Sequence, residues 1–445
     1  MLSIPHFSYA KNHISKNPGT SVEIYYLKKH NQSIIQEIKI SDNYKAKNEK
    51  ILLVLDVKVG EVFFAKKFYA GIQRLRNTDF FYEINYQIKK LDSKKIKIIL
   101  KVKDKWSILP IISYKSGGGI SHYRFGIYEA NLFGELMEIG GTYENLNKES
   151  YGRVWFEDRY FFNTYIRFRI NLFSDGMADN FYSLNRDILL QLITRKNGGS
   201  FEFHFPIIRD ILTLTYMSAI YQETIKKNLL LNDPVKNKPE YINFINKNNL
   251  INSQMLMLTL GKINLLEDYY HEGEELSISF EFSDNKWISC DSFYYLRVEG
   301  CIFYILKDDI TLGHKIAGWK SFSNNFYRDF YLGGFSNLRG FLGTRFHGKN
   351  VYFFNTELRF PMYKGDFWFI KDFVITFVPF IDLGNVWDKG YFSKGLTSNY
   401  IADAGAGLRF NIRRLKSGQF RIDFAVSLHP NEFDTFISTG LYHFF

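Results

Sequence analysis

The sequence predicts a transmembrane β-barrel of about 16 antiparallel strands preceded by one small α+β domain. Three observations lead there. Aromatic residues make up 18% of the 445 residues, with 44 Phe and 30 Tyr. The average is nevertheless polar, with charged residues at 23% and a mean hydropathy of −0.21. From Trp106 onward, apolar and polar residues alternate with period two in one segment after another. In a barrel, lipid-facing and lumen-facing positions alternate and cancel in any window, so aromatic richness and a polar mean occur together. A helical membrane protein would carry stretches of ~18 or more apolar residues. The longest candidate, 373–383, is too short and contains Asp382.

The length favours two domains. Residues 1–31 read as an extension, whose Ser8-Tyr9-Ala10 fits either the end of an export signal or an ordinary terminus. Residues 32–104 mix helix and strand. A strand over 33–40 ends at Ser41-Asp42-Asn43, and a helix over 48–57 carries Ile51, Leu52 and Leu55 on one face. Asn48 is placed as its N-cap and Gly60 as its breaker. A second helix, 65–76, aligns Phe68, Ile72 and Leu75. Two strands follow, 81–90 with Ile84, Tyr86 and Ile88 on one side, and 94–102 with Ile96, Ile98, Leu100 and Val102, joined by a turn at Asp92-Ser93. The order is β-α-α-β-β, and the 81–90 strand is expected to leave an edge free.

Residues 105–445 form the expected barrel. Ile166, Phe168, Ile170 and Leu172 alternate with Arg167, Arg169 and Asn171; Leu296 and Val298 with Arg297 and Glu299; Leu408, Phe410 and Ile412 with Arg409 and Asn411. Phe420, Ile422, Phe424 and Val426 alternate with Arg421, Asp423 and Ala425. A soluble sandwich would bury the apolar side in one shared core. Here the apolar series runs on with no helices to cover it, and charges fill the other side, which lipid outside and a wet lumen inside both explain. About 21 residues per strand and connection gives about 16 strands, and closure removes edges that an open sheet would have to protect. The first and last strands are expected at 120–130 and 435–445, the latter closing on an aromatic Phe445.

Other classes fit poorly. The net charge of +11 is spread along the chain, and pairs such as Lys89-Lys90 read as a solvated face, so nucleic acid is not expected as a partner. His271-Glu272 does not continue into HExxH and no G-x-S-x-G occurs, so neither an enzyme, a metal nor a cofactor is expected. Cys290 and Cys301, read as lying on one strand, would stand ~35 Å apart, beyond disulfide reach.

Gly333-Gly334-Phe335-Ser336-Asn337-Leu338-Arg339-Gly340-Phe341 is a glycine-rich loop with one Arg and lacks the strand–GxGxxG–helix context of a nucleotide site. It resembles the (V/I/L)-R-G-(F/Y) loop of the outer-membrane assembly-factor and surface-antigen superfamily, the BamA/TamA-like barrels with POTRA domains. Asn355-Thr356-Glu357-Leu358-Arg359-Phe360-Pro361 resembles that family's N-x-E-x-R-x-P strand, and Phe380-Ile381-Asp382-Leu383-Gly384-Asn385-Val386 its F-x-D-x-G-x-V strand. The three follow in the family's order, and 32–104 resembles a single POTRA domain. The chain departs in carrying one such unit, Asp42-Asn43 in place of Gly-Asn, and His443 in the C-terminal signature with Leu441 and Phe445.

The resemblance implies a bacterial outer-membrane protein with its POTRA domain in the periplasm. It implies that Arg339, with Gly333, Gly334, Leu338, Gly340 and Phe341, folds back into the lumen to meet Glu357, Asp382 and Gly384. Unfolded outer-membrane or secreted clients would join the edge bearing Glu83, Ile84, Tyr86 and Ile88, by β-augmentation. Partners would then be client chains, the lipid bilayer and accessory subunits. The function implied is insertion of clients at the barrel seam. Alternatives are secretion of a dedicated partner, a mitochondrial sorting-and-assembly barrel, and a surface antigen binding through 225–254.

Overall fold

The computed structural model describes residues 24–25, 27–117, 120–182, 188–230, 248–266, 270–286, 288–307, 309–323, 325–334, 336–387, 400–416, 419–428 and 435–441. The N-terminal unit contains β1 (Ile34–Ser41), α1 (Asn48–Leu55), α2 (Ala65–Asn77), β2 (Phe81–Lys90) and β3 (Lys95–Asp104). Its sheet runs β1-β3-β2, with β1 parallel and β2 antiparallel to β3. Ile96, Ile98, Leu100 and Val102 of β3 are wholly buried under Ile51, Val54 and Leu55 of α1 and Phe68, Ile72 and Leu75 of α2. A central strand flanked on both sides is where alternation sets the core most firmly.

Local details differ from the expectation. Asn48 is inside α1; Lys47 takes the N-cap position without a side-chain hydrogen bond, and Asn48 Oδ1 instead accepts from Asn43 Nδ2. The helix stops at Leu55 because Asp56 turns left-handed (φ 57°), before Gly60 is reached. Val54, not Leu52, completes the buried face. The outer edge of β1 is partly occupied: Ile35 N donates to Glu61 O and Gly60 N to Ile35 O. The outer edge of β2 has no strand beside it among the described residues.

Sixteen strands build one antiparallel β-barrel: β4 (Ile108–Gly117), β5 (Ile120–Leu132), β6 (Met137–Leu146), β7 (Glu149–Asp158), β8 (Arg167–Tyr182), β9 (Ile188–Ile208), β10 (Leu212–Leu230), β11 (Asn248–Leu266), β12 (Tyr270–Ser283), β13 (Phe293–Lys307), β14 (Ile310–Ser321), β17 (Asn350–Phe367), β18 (Ile370–Trp387), β19 (Ile401–Ile412), β20 (Gln419–Ser427) and β21 (Thr435–Leu441). Each pairs with its neighbours in that order. The first strand is therefore β4, ahead of the expected 120–130. Pro110 is accommodated in β4 because β4 ends the ladder, where a residue without an N–H is tolerated. Cys290 lies in the β12–β13 connection, outside the strand that carries Cys301. Strand pairing also claims both ends of the 225–254 stretch, since β10 continues to Leu230 and β11 starts at Asn248; residues 231–247 lie outside the described residues, as do Ser8-Tyr9-Ala10 and Phe445.

Along β20, Phe420, Ile422 and Phe424 are exposed while Arg421 and Asp423 are buried. Apolar outside and charged inside is the reverse of a soluble protein and suits a wall between hydrocarbon and a lumen. Leu256, Leu258 and Leu260 form such an outer row midway along β11. Leu258→Arg is expected to cost about 2–4 kcal/mol. The cost should appear as a lower urea midpoint of the lipid-folded protein, and an unchanged midpoint would put that row in water.

The N-terminal unit is seated against one end of the barrel. Arg74 of α2 pairs with Asp210 in the β9–β10 turn at 2.7 Å, Gln73 Nε2 donates to Leu265 O at 3.0 Å, and Asn77 Oδ1 accepts from Leu265 N at 2.9 Å. Tyr165 OH donates to Leu53 O, and Lys45 pairs with Glu129. Among the described residues no ladder joins β4 to β21. At the same rim, Trp106 N donates to Arg414 O (2.8 Å) and Lys416 N to Trp106 O (3.3 Å), tying the approach to β4 to the β19–β20 turn.

Candidate functional site

β14 and β17 are neighbours in the wall, yet residues 322–349 separate them. This connection folds as a hairpin whose stem is β15 (Phe330–Leu332) paired with β16 (Phe346–Gly348). Gly333 (φ 120°) and Gly334 (φ 83°) turn the chain into the tip; a Cβ on Gly333 would fall 2.1 Å from Leu342 O. Asn337 Oδ1 seals the turn by accepting from Gly333 N (2.8 Å) and Leu338 N (2.9 Å).

The tip lies against the inner faces of β17 and β18, where alternation turns Asn355, Glu357 and Arg359, and Phe380, Asp382 and Gly384, toward the lumen. Arg339 is 1% exposed. Its Nε and Nη2 donate to the two oxygens of Asp382 at 2.8 and 2.7 Å, and Nη1 donates to Glu357 Oε1 at 2.7 Å. The guanidinium stacks on the Phe380 ring, 3.4 Å from its centroid. Asn355 Nδ2 ties strand to tip by donating to Asn337 O (2.6 Å) and Asp382 Oδ1 (2.9 Å).

This pair belongs to a wider network. Glu357 Oε2 accepts from Arg359 Nε and Nη2 at 3.0 and 2.8 Å, and Oε1 also accepts from Arg409 Nη2 at 3.3 Å. Arg409 Nη1 donates to Asp423 (2.6 Å), which Arg421 approaches at 3.7 Å. Asp403 is buried opposite Asp382 on the paired strand. Arginines 339, 359, 409 and 421 thus gather around carboxylates 357, 382 and 423, beside the buried Asp403. Burial of these ions is tolerable because Arg339, Arg359, Arg409, Glu357, Asp382 and Asp423 each have a partner at hydrogen-bonding distance.

Close packing seats the tip as firmly as charge. A Cβ on Gly340 would lie 2.5 Å from Asp403 Cβ, and one on Gly384 would lie 2.9 Å from Leu332 Cδ1. Leu338 and Phe341 join Leu332, Phe346, Val351, Phe353, Val386 and Ile401 in an apolar cluster inside the lumen.

The structure brings Gly333, Gly334, Leu338, Arg339, Gly340, Phe341, Glu357, Asp382 and Gly384 into this one site. Glu83, Ile84, Tyr86 and Ile88 stand apart on β2. Ile84, Tyr86 and Ile88 pack on the domain core, Tyr86 edge-on to Phe68 at 5.1 Å, and Glu83 pairs with Lys103. The exposed side chains of β2 are Asn85, Gln87, Lys89 and Lys90. The backbone of Leu441 pairs with Phe420. Sequence reading did not single out Arg359, Arg409, Asp403, Asp423 or Asn355 as site residues. Alternation had turned Arg409 and Asp423 inward without showing which inward residues converge.

Residues 131–441, which hold all three motifs, match the model of the Omp85 superfamily domain. The chain belongs to the Omp85 superfamily. No curated protein matches it in sequence. Among solved structures, this Omp85 chain is similar to BamA from Haemophilus ducreyi lacking POTRA domains 1–3 (14% identity, TM-score 0.56, covering 92% of this chain and 85% of that one). It is also similar to CdiB from Escherichia coli (12%, 0.58, 92% and 75%) and CdiB from Acinetobacter baumannii (15%, 0.55, 92% and 74%). At such identities the likeness is one of fold, a 16-stranded barrel of outer-membrane type.

Proposed function

We propose that this Omp85 protein receives extended client polypeptides on the outer edge of β2 and passes them into the outer membrane at the seam between β4 and β21, with its N-terminal unit in the periplasm. The observation that carries the reading is the seam. Fifteen consecutive strand pairs are laddered, whereas among the described residues no ladder joins β4 to β21, and the approach to β4 is tied instead to the β19–β20 turn by the backbone bonds of Trp106 with Arg414 and Lys416. Unpaired strand edges at a membrane-facing seam are templates for another strand, and the free side of β2 offers a second template outside the bilayer. No covalent step is needed: the client gains by burying its own apolar face in lipid and its backbone groups in a closed ladder.

A photo-crosslinker at Gln87, which points away from the domain core, tests this. Capture of many different barrel precursors in growing cells is the expected result. Capture of one dedicated partner would replace insertion with secretion, and capture of none would remove the β2 edge from the pathway. In liposomes, the protein should speed the acquisition of protease resistance by a urea-denatured barrel client several-fold over empty vesicles.

A further inference from the structure

We infer that Arg328 is a second anchor of the β14–β17 loop, independent of Arg339, whose pairing with Glu223 and Asp291 shuts the half of the lumen remote from the N-terminal unit. Arg328 sits in a single 3-10 turn, Phe326–Arg328, on the limb that enters the loop. It is 7% exposed and reaches strands far from the Arg339 site: five strands stand in the wall between β10 and β18. Its Nη1 donates to Glu223 Oε1 of β10 at 3.0 Å and its Nη2 donates to Oε2, a two-point contact. Nε and Nη2 also donate to Asp291 Oδ2, in the β12–β13 connection, at 3.1 and 3.0 Å. The guanidinium lies 4.6 Å from the centroid of Phe293.

Asp291 is a receptacle for the whole turn. Besides Arg328 it accepts from Asn325 Nδ2 (3.0 Å) and Tyr327 OH (3.2 Å). Glu223 is 1% exposed, and Lys196 supplies its second cation at 3.8 Å. The exit limb is held on a third part of the wall. Asn180 of β8 donates its N–H to Thr344 Oγ1 and accepts from it, and His347 stacks on Phe181 with centroids 4.2 Å apart. The loop is therefore stretched across the lumen between three points, of which the Arg339 cluster is one.

The Arg328 contact differs from that cluster in what lies beside it. A cavity of about 300 Å³ adjoins it, lined by Lys196, Glu223, Arg297, Trp319, Arg328 and Tyr331. Leu338 and Phe341 of the tip are sealed in apolar packing, whereas the cavity, which extends as far as Asn337, gives the Arg328 end of the loop room to move into once the ion pair opens. Breaking it frees the entry limb while Arg339 still holds the tip. The two arginines thereby divide the work, Arg339 fixing the loop to the β17–β18 wall and Arg328 setting how far the passage stands open.

The division rests on reading the lumen as a passage, and it is tested without any client. Purified wild-type and variant proteins are placed in planar bilayers and single-channel conductance is recorded. Arg328→Ala is expected to raise the open fraction about tenfold or more, the change that loss of a charge-assisted hydrogen bond makes in a two-state equilibrium. Arg328→Lys should fall between the two, because one ammonium cannot serve Glu223 and Asp291 in the same geometry. Asp291→Asn, which keeps the shape of the receptacle, should move in the same direction and decides the matter if Arg328→Ala does not fold, as judged by its heat-modifiable band. Wild-type conductance in folded Arg328→Ala, or in folded Asp291→Asn when the alanine variant is lost, would overturn the inference. Failure of the client-insertion assay alone would count against the proposed function and leave the conductance result standing.

Discussion

Arg339→Ala should destabilise the barrel by about 3–5 kcal/mol and abolish client delivery, because removing one partner of a buried ion pair leaves the other charge uncompensated. Three good hydrogen bonds to Glu357 and Asp382 are lost together, with the stacking on Phe380. Asp382 suffers most, since Glu357 keeps Arg359 and Arg409. Arg339→Lys should recover little: an ammonium is a point donor and cannot span both Asp382 oxygens and Glu357 as the planar fork does. The measurements are the urea midpoint of the folded band and insertion of a test client into liposomes. Because the partners form one network, Arg339→Ala combined with Asp382→Ala should cost less than the sum of the two single changes. Full stability and full delivery in Arg339→Ala would reduce the cluster to lumen lining.

What could be read from the chain followed from what is periodic. Alternation in segments such as 420–426 separates lipid-facing from lumen-facing residues, because one register assigns every side chain on a strand at once. The N-terminal core was legible for the same reason, down to the four buried residues of β3. Local chemistry was less legible. The start of the barrel at β4 was not read, since which strand ends the ladder is a fact of topology. Asn48 stands one residue inside α1, its amide oxygen accepting from Asn43 and not from the helix N-terminus. The Arg339 cluster was approached through a resemblance in three motifs and not through spacing. Arg328 was not singled out at all: Glu223 lies 105 residues away, and the two meet only once the wall has curved round between them.

Gly340→Ala separates seating from charge. The variant keeps every ion of the cluster, but its new methyl group would lie 2.5 Å from Asp403 Cβ and 3.1 Å from Ser427 N. Neither contact is the far end of a flexible chain, so the loop must withdraw or β19 must give way. Overpacking of this kind costs typically ~1–3 kcal/mol, enough to shift a seated tip toward a withdrawn one by about fivefold or more. Gly343→Ala, in the same loop with open space around the added carbon, should be silent, and Gly384→Ala should be intermediate, its nearest contact being the end of the Leu332 side chain at 2.9 Å. Protease cleavage of the loop in intact cells reads the withdrawn population directly. If Gly340→Ala exposes the loop and stops delivery as Arg339→Ala does, the seated loop is what delivery requires and the ions serve to hold it there. If the loop stays protected while delivery still fails, the requirement lies in the inner wall around Asp403. Normal protection together with normal delivery would show that β19 yields to the added methyl and that the seat is softer than its packing suggests.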